Sequence, residues 1–326
     1  MTTTVTHDEL VALCTRALRA AGEEAEAAGV LARAVVDAEQ AGNRAVGVTH
    51  LFDYLDAYRD GRIIPGAVPE VTRAAPSCLV ADAHHGLAQV AFEAAAPNLF
   101  AAVETSGVAA LWIRRSYTCG ELGHYARRAA EHGLAAVACA NSPALMSLGG
   151  SGSAVLGTNP LAYAFPRSGE PPLVIDQASS QTAYVNLKQA AKAGEPIPAG
   201  WAVGSDGTET TDAAAAVAGA LLPFGGHRGG NIALLVELLA TLAGGSFSLD
   251  APPFDGGTRP PGIGVFILCL NPAAFTGAPD RAAAHLRRLR DEHAVHLPAL
   301  ESPAPSAVIG LAPETARRLR TAADAQ

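Results

Sequence analysis

Four short segments of this chain carry side chains and backbone suited to a charged, reactive ligand. In PFGGHRGG, residues 223–230, glycines let backbone N–H groups approach an anion, and an apolar helix follows directly near Asn231. His227 and Arg228 add donors, so phosphate binding competes there with an ordinary glycine-rich turn. In PLVIDQASSQTAYVN, residues 172–186, Asp176 ends an apolar strand, a place where α/β proteins present ligand-facing groups and where aspartates also start turns. In LGTNPLAYAFP, residues 156–166, Thr158 and Asn159 can donate and accept hydrogen bonds, or simply cap the strand that follows. In GVTHLFDYLDAYRDGRIIP, residues 47–65, His50 offers an imidazole able to exchange a proton near neutral pH.

The elements that must hold these groups are legible in the apolar pattern. Residues 108–113, 135–139, 161–165, 173–175 and 263–270 read as buried strands, and their alternation with Ala-rich helical runs predicts an α/β domain. Earlier, Thr6 and Glu9 form a capping box, Leu10, Leu13, Cys14 and Leu18 follow at helical spacing, and Val30, Leu31, Val35 and Val36 repeat the period. The expected division is a helical module over 1–75 carrying His50, an α/β cofactor-binding domain over 76–275, and a segment over 276–326 that packs back on the helical module. Ala251 to Gly262 and Pro298 to Pro305 read as loops, the second leading to a short helix with Arg317, Arg318 and Arg320.

Composition narrows the function classes. Of 326 residues, 49% are hydrophobic and 17% charged, a globular balance, and 31 acidic against 23 basic residues give a net charge of -8, which argues against nucleic acid. Cys14, Cys78, Cys119, Cys139 and Cys269 are dispersed without a C-x-x-C pair, so neither a zinc site nor a disulfide framework is expected. MTTTVTHDEL has no basic and apolar signal regions, and the apolar run from Asn231 to Ala243 is short and broken by Glu237. A cytoplasmic protein without a membrane partner is expected. No G-x-G-x-x-G joins a strand to a helix with an acidic residue beyond it, so a Rossmann domain is not supported.

Residues 47–65 resemble a signature S-H-G-x-x-R-x-x-x-Y with an x-G-x-I-x-P ending. Thr49, His50 and Leu51 occupy the S-H-G triplet, Tyr54 the arginine position, and Tyr58, Gly61, Ile63 and Pro65 keep the rest. Residues 156–166 match a G-T-N-P segment, 172–186 a D-M-A-T-S-x-V-A-x-G-K motif, 114–133 an N-S-x-H-x-G-x-x-G-Y-Y segment, and 223–230 a P-x-G-G-x-K-G motif. With VADAHHG at 80–86 and Asn141-Ser142, these motifs run in the expected order from about Ala38 to Phe275. The chain therefore resembles the malate/L-lactate dehydrogenase family of NAD(P)-dependent oxidoreductases, which includes ureidoglycolate, sulfolactate and cyclic imino acid reductases.

That resemblance implies a mixed-sheet, non-Rossmann α/β fold, a homodimer, and NADPH or NADH as cofactor. It implies catalysis by His50 as proton donor with Thr49 as hydroxyl relay and Asp176 orienting the histidine or the nicotinamide. Tyr54, Tyr58 and Thr158 would meet a small-molecule substrate. Thr118, Cys119, Gly120, Glu121, Leu122, Thr158, Asn159, Asp176, Tyr184, Asn186, His227, Arg228 and Gly229 would hold the cofactor, with no metal. Leu51, Tyr54, Thr118 and Asn186 depart from the family pattern, and Arg228 replaces its lysine. Tyr54 cannot pair a carboxylate as the family arginine would, so either another cation takes that role, with Arg59 and Arg62 as candidates, or the substrate carries no simple 2-oxo carboxylate there. The expected activity is reduction of a C=O or C=N bond of a 2-oxo acid or cyclic imino acid-like substrate, from a specialised pathway. The alternative is a remodelled member acting as a non-redox enzyme or nucleotide-binding scaffold.

Overall fold

Strands covered on both faces need uninterrupted apolar runs, and the central run IGVFILCL lies at the heart of one large sheet. The computed structural model describes residues 3–275, 278–297 and 307–325. Its elements in chain order are β1 (Thr3–Thr6), α1 (His7–Ala20), α2 (Ala25–Gln40), α3 (Val48–Arg59), β2 (Glu70–Ala75), β3 (Cys78–Asp82), α4 (Ala88–Ser106), β4 (Val108–Ser116), α5 (Gly123–Glu131) and β5 (Ala135–Ala140). Then follow β6 (Leu161–Arg167), β7 (Glu170–Gln177), α6 (Tyr184–Ala193), β8 (Ala202–Val203), β9 (Glu209–Thr210), α7 (Ala213–Ala218), β10 (Ala220–Leu221) and α8 (His227–Thr241). Last come β11 (Ile263–Leu270), α9 (Ala278–His293), β12 (Val308–Leu311) and α10 (Pro313–Ala323).

The seven-stranded sheet has the order β2-β3-β4-β11-β5-β6-β7, with β3 and β4 parallel and the other neighbours antiparallel. This is a mixed-sheet, non-Rossmann α/β fold. Alternation along β11 explains its layers: Val265, Ile267 and Cys269 join the core beneath α4 and α5, while Phe266 and Leu268 face α8. Trp112 Nε1 donates to Leu239 O at 3.0 Å, pinning α8 to the second face.

A second core gathers α1, α2 and α3 around Leu10, Leu18, Leu31, Leu51 and Tyr54. The Thr6–Glu9 capping box is present at the start of α1. At the chain's other end β12 pairs antiparallel with β1 and α10 lies on α1, whereas α9 runs along β6. The N-terminal stretch is not wholly helical, because β1 and β2 interrupt it and β2 forms an edge of the large sheet. EVTRAA is polar and mostly exposed, so it lacks the apolar run that betrays a central strand. A third core packs α6 and α7 against the small β10-β8-β9 sheet. The expected loop from Pro298 to Pro305 falls outside the described residues.

Candidate active site

Helix α3 forms because Leu51, Tyr54 and Tyr58 recur at helical spacing and bury together. Its first amide is satisfied from outside: Val48 N donates to the buried Glu39 Oε2 at 2.9 Å. His50, Asp53 and Tyr54 therefore share one face, at i, i+3 and i+4. His50 Nδ1 lies 2.8 Å from Asp53 Oδ2, and the imidazole meets the Tyr54 ring edge-on at 4.9 Å. With Nδ1–H given to the carboxylate, Nε2 is left as the ring's exchanging nitrogen.

Behind His50 the chemistry is structural. Tyr54 is 0% exposed, and its hydroxyl accepts from Gln89 Nε2 at 3.1 Å. Burial pushes the phenol well above its usual range, so it holds its proton. Gln89 Nε2 also donates to Cys119 O at 3.0 Å, tying the loop of residues 117–122 to α3 through α4. Gly120 is required in that loop: its φ is +65°, and a Cβ would stand 2.7 Å from Gln89 Nε2. Thr118, Cys119, Glu121 and Leu122 are buried, the Cys119 thiol is pushed up to about 12 by desolvation, and Glu121 pairs with Arg127 through two 3.0 Å bonds.

The loop delivers α5 to Asp176. Gly123 N donates to Asp176 Oδ2 at 2.8 Å, so a carboxylate from the end of β7 caps this helix. Asp176 is exposed as a residue, with its carboxylate against the first amide of α5. Desolvation leads in pushing its carboxyl up to about 6, and the Gly123 N–H and Arg127 oppose that rise. A continuous row of contacts runs onward from there. Ser179 N donates to Thr158 O at 2.8 Å, and Phe224 N donates to Ser179 O at 3.0 Å, seating the glycine-rich loop beside the strand end.

At the start of α8, His227 and Arg228 are exposed, and among the described residues their backbone amides have no protein partner. A Cβ on Gly225 or Gly226 would meet open space, whereas one on Gly229 would lie 2.1 Å from Phe224 O. Open amides, a cation and a helix N-terminus have the chemistry that binds phosphate.

Several expected residues are placed otherwise. No hydrogen bond joins Asp176 to His50 among the described residues; the carboxylate on His50 Nδ1 is that of Asp53, at the readable spacing i+3. Thr49 is exposed and, among the described residues, makes no hydrogen bond to His50; neighbours on a helix do not face each other. Tyr54 and Tyr58 point inward, and the Tyr58 hydroxyl donates to buried Glu23. The Asn159 side chain is fully buried and donates to Ala233 O and Glu237 Oε2, both at 2.9 Å, so it pins its loop to α8 rather than reaching a ligand. Asn186 donates to Thr182 Oγ1 at 2.8 Å. Arg62 is buried against Phe254 O, Tyr117 and Asp60, and Arg59 is held by Asp56 and Asp60. Lys188, unforeseen, joins Asp255 on the loop of residues 251–262 and lies over the Tyr184 ring at 5.1 Å. No metal-binding cluster occurs among the described residues.

The malate/L-lactate dehydrogenase family profile matches residues 5–302. The chain is 38% identical over 269 residues to a Δ1-pyrroline-2-carboxylate reductase of Ancylobacter novellus, covering 82% of this chain and 79% of that protein. It is 37% identical over 293 residues to a (2R)-3-sulfolactate dehydrogenase (NADP+) of Chromohalobacter salexigens, covering 89% and 88%. The crystal structure of Δ1-piperideine-2-carboxylate reductase from Pseudomonas syringae pv. tomato superposes with a TM-score of 0.92 at 32% identity, covering 98% of this chain and 99% of that one. Family profile and fold thus agree, and the chain belongs to the malate/L-lactate dehydrogenase family.

Proposed function

We propose that this NAD(P)H-dependent oxidoreductase reduces the C=N bond of a cyclic 2-imino carboxylate, or the C=O bond of a 2-oxo acid, with His50 as proton donor. The observation that carries the reading is the His50–Asp53 pair, held next to the 119–123 loop that leads to Asp176 and the glycine-rich loop. When bound, the reduced nicotinamide supplies a hydride to the substrate carbon. His50 Nε2 supplies the proton to the nitrogen or oxygen, and Asp53 stabilises the imidazolium and fixes its tautomer. Arg228 and the amides at the start of α8 neutralise the phosphates. Asp176 orients the nicotinamide end while capping α5.

The relatives' activities, on cyclic imino acids and sulfolactate, support this substrate class. A homodimer is part of the reading: Leu234, Leu235, Leu238 and Leu242 stand exposed along α8, with Leu249 nearby in sequence, an apolar stripe suited to a second copy. A cytoplasmic setting accords with five free cysteines and a reduced cofactor. The test is oxidation of NADPH or NADH with Δ1-pyrroline-2-carboxylate, Δ1-piperideine-2-carboxylate, sulfopyruvate and pyruvate. Cofactor binding without turnover of any of these acids defeats the proposal.

A further inference from the structure

We infer that Lys188 is the cation that receives the substrate carboxylate, and that Asp255 occupies it in the ligand-free site. The inference rests on the reductase reading above and assigns its specificity residue.

Substrates of this class carry a carboxylate next to the reducible bond, and a desolvated carboxylate needs a cationic partner. Tyr54 stands buried where an arginine would serve. The two arginines just beyond it on the same segment are committed. Arg62 has a side chain only 4% exposed and points into Phe254 O, Tyr117 and Asp60, while Arg59 is braced between Asp56 and Asp60. Lys188 differs from both, with a side chain 45% exposed on the first turns of α6.

A chain of contacts puts Lys188 at the site. His50 bonds Asp53; the Tyr117 hydroxyl lies 3.4 Å from Asp53 O and 3.1 Å from Phe254 O; the next residue, Asp255, pairs with Lys188. Asp53 is also among the charges that favour the protonated ammonium, after Asp255. Asp255 is the member free to leave, since its side chain is 64% exposed on a loop. A flat carboxylate bound beside His50 can replace it as the partner of Lys188. A lysine in this role presents a point charge rather than a fork, so it tolerates carboxylates at more than one angle.

Binding of pyridine-2-carboxylate, a planar analogue that cannot be reduced, is measured by calorimetry in the presence of saturating NADP+. Lys188→Met is expected to weaken it about tenfold or more, Lys188→Arg to retain most of it, and Asp255→Asn to tighten it. The neutral amide of the same ring should bind all four proteins alike. In turnover, Lys188→Met should raise KM with kcat nearly kept, which a purely structural role would not produce. Equal binding of the carboxylate by wild type and Lys188→Met overturns the assignment, and so does failure of the wild type to bind it while a cyclic imino acid is still reduced. Binding that follows the expected pattern without any turnover supports Lys188 as the carboxylate partner and defeats the reductase reading instead.

Discussion

His50 Nδ1 and Asp53 Oδ2 are 2.8 Å apart on one helix, a pairing that needs no tertiary contact to form. Helical spacing sets it, and the buried Tyr54 beneath fixes the ring that points into the site. In the proposed mechanism the proton donor thus sits on α3, while the proposed cofactor-binding groups lie at the end of β7 and the start of α8.

His50→Ala should lower the rate of reduction about 10²- to 10⁴-fold with cofactor affinity nearly unchanged, because general acid help acts in the transition state. Asp53→Asn should fall between wild type and that variant and move the alkaline limb of the pH–rate profile to lower pH, because a donor must be protonated and the carboxylate favours the charged imidazole. An Asp53→Asn profile superimposable on wild type removes Asp53 from the mechanism.

Tyr54→Phe deletes one buried hydrogen bond to Gln89 and should cost about 0.5–1.5 kcal/mol of stability with activity largely preserved. Denaturant unfolding and kinetics on the same protein check both halves. Collapse of activity in Tyr54→Phe, with His50→Ala near normal, would transfer the donor role to the tyrosine.

Arg228→Ala should weaken NADPH or NADH binding by about 1.5–3 kcal/mol, since a charge-assisted contact to phosphate is lost from an exposed side chain that the fold does not need. Gly229→Ala tests the loop itself: its Cβ would collide with Phe224 O, so the melting temperature should drop as well as affinity. Fluorescence titration and thermal melts separate the two.

Asp176 carries a carboxyl pushed up to about 6, above its usual 3.8. Its protonated form is therefore favoured by folding, and the associated stability is full below about pH 4 and lost as pH rises through about 6. Asp176→Asn keeps an acceptor for Gly123 N and should gain stability relative to wild type across that window, with little difference below it. A constant difference from pH 4 to 7 contradicts the shift.

Leu238→Glu with Leu242→Glu places charges in the exposed stripe of α8 and should convert a dimer to a monomer by light scattering, with the far-ultraviolet spectrum unchanged. A dimer that survives both changes moves the interface elsewhere.

What the sequence by itself determined is local or periodic. Apolar runs at 108–113, 135–139, 161–165, 173–175 and 263–270 fall within β4, β5, β6, β7 and β11, most plainly where, as in β11, both faces of the strand are buried. The Thr6–Glu9 cap was equally legible, since both partners lie within one turn. The order of motifs was enough to indicate the family. Tertiary structure decided which of the motif residues face the cleft. Asn159 and Tyr58 look like ligand groups in a string of letters, yet their partners, Glu237 and Glu23, are 78 and 35 residues away. Lys188 lies two positions past the expected lysine, and its partner Asp255, on which its proposed role rests, is 67 residues on. β2 escaped notice for the same reason: an exposed edge strand is defined by its neighbour's backbone, not by its own side chains.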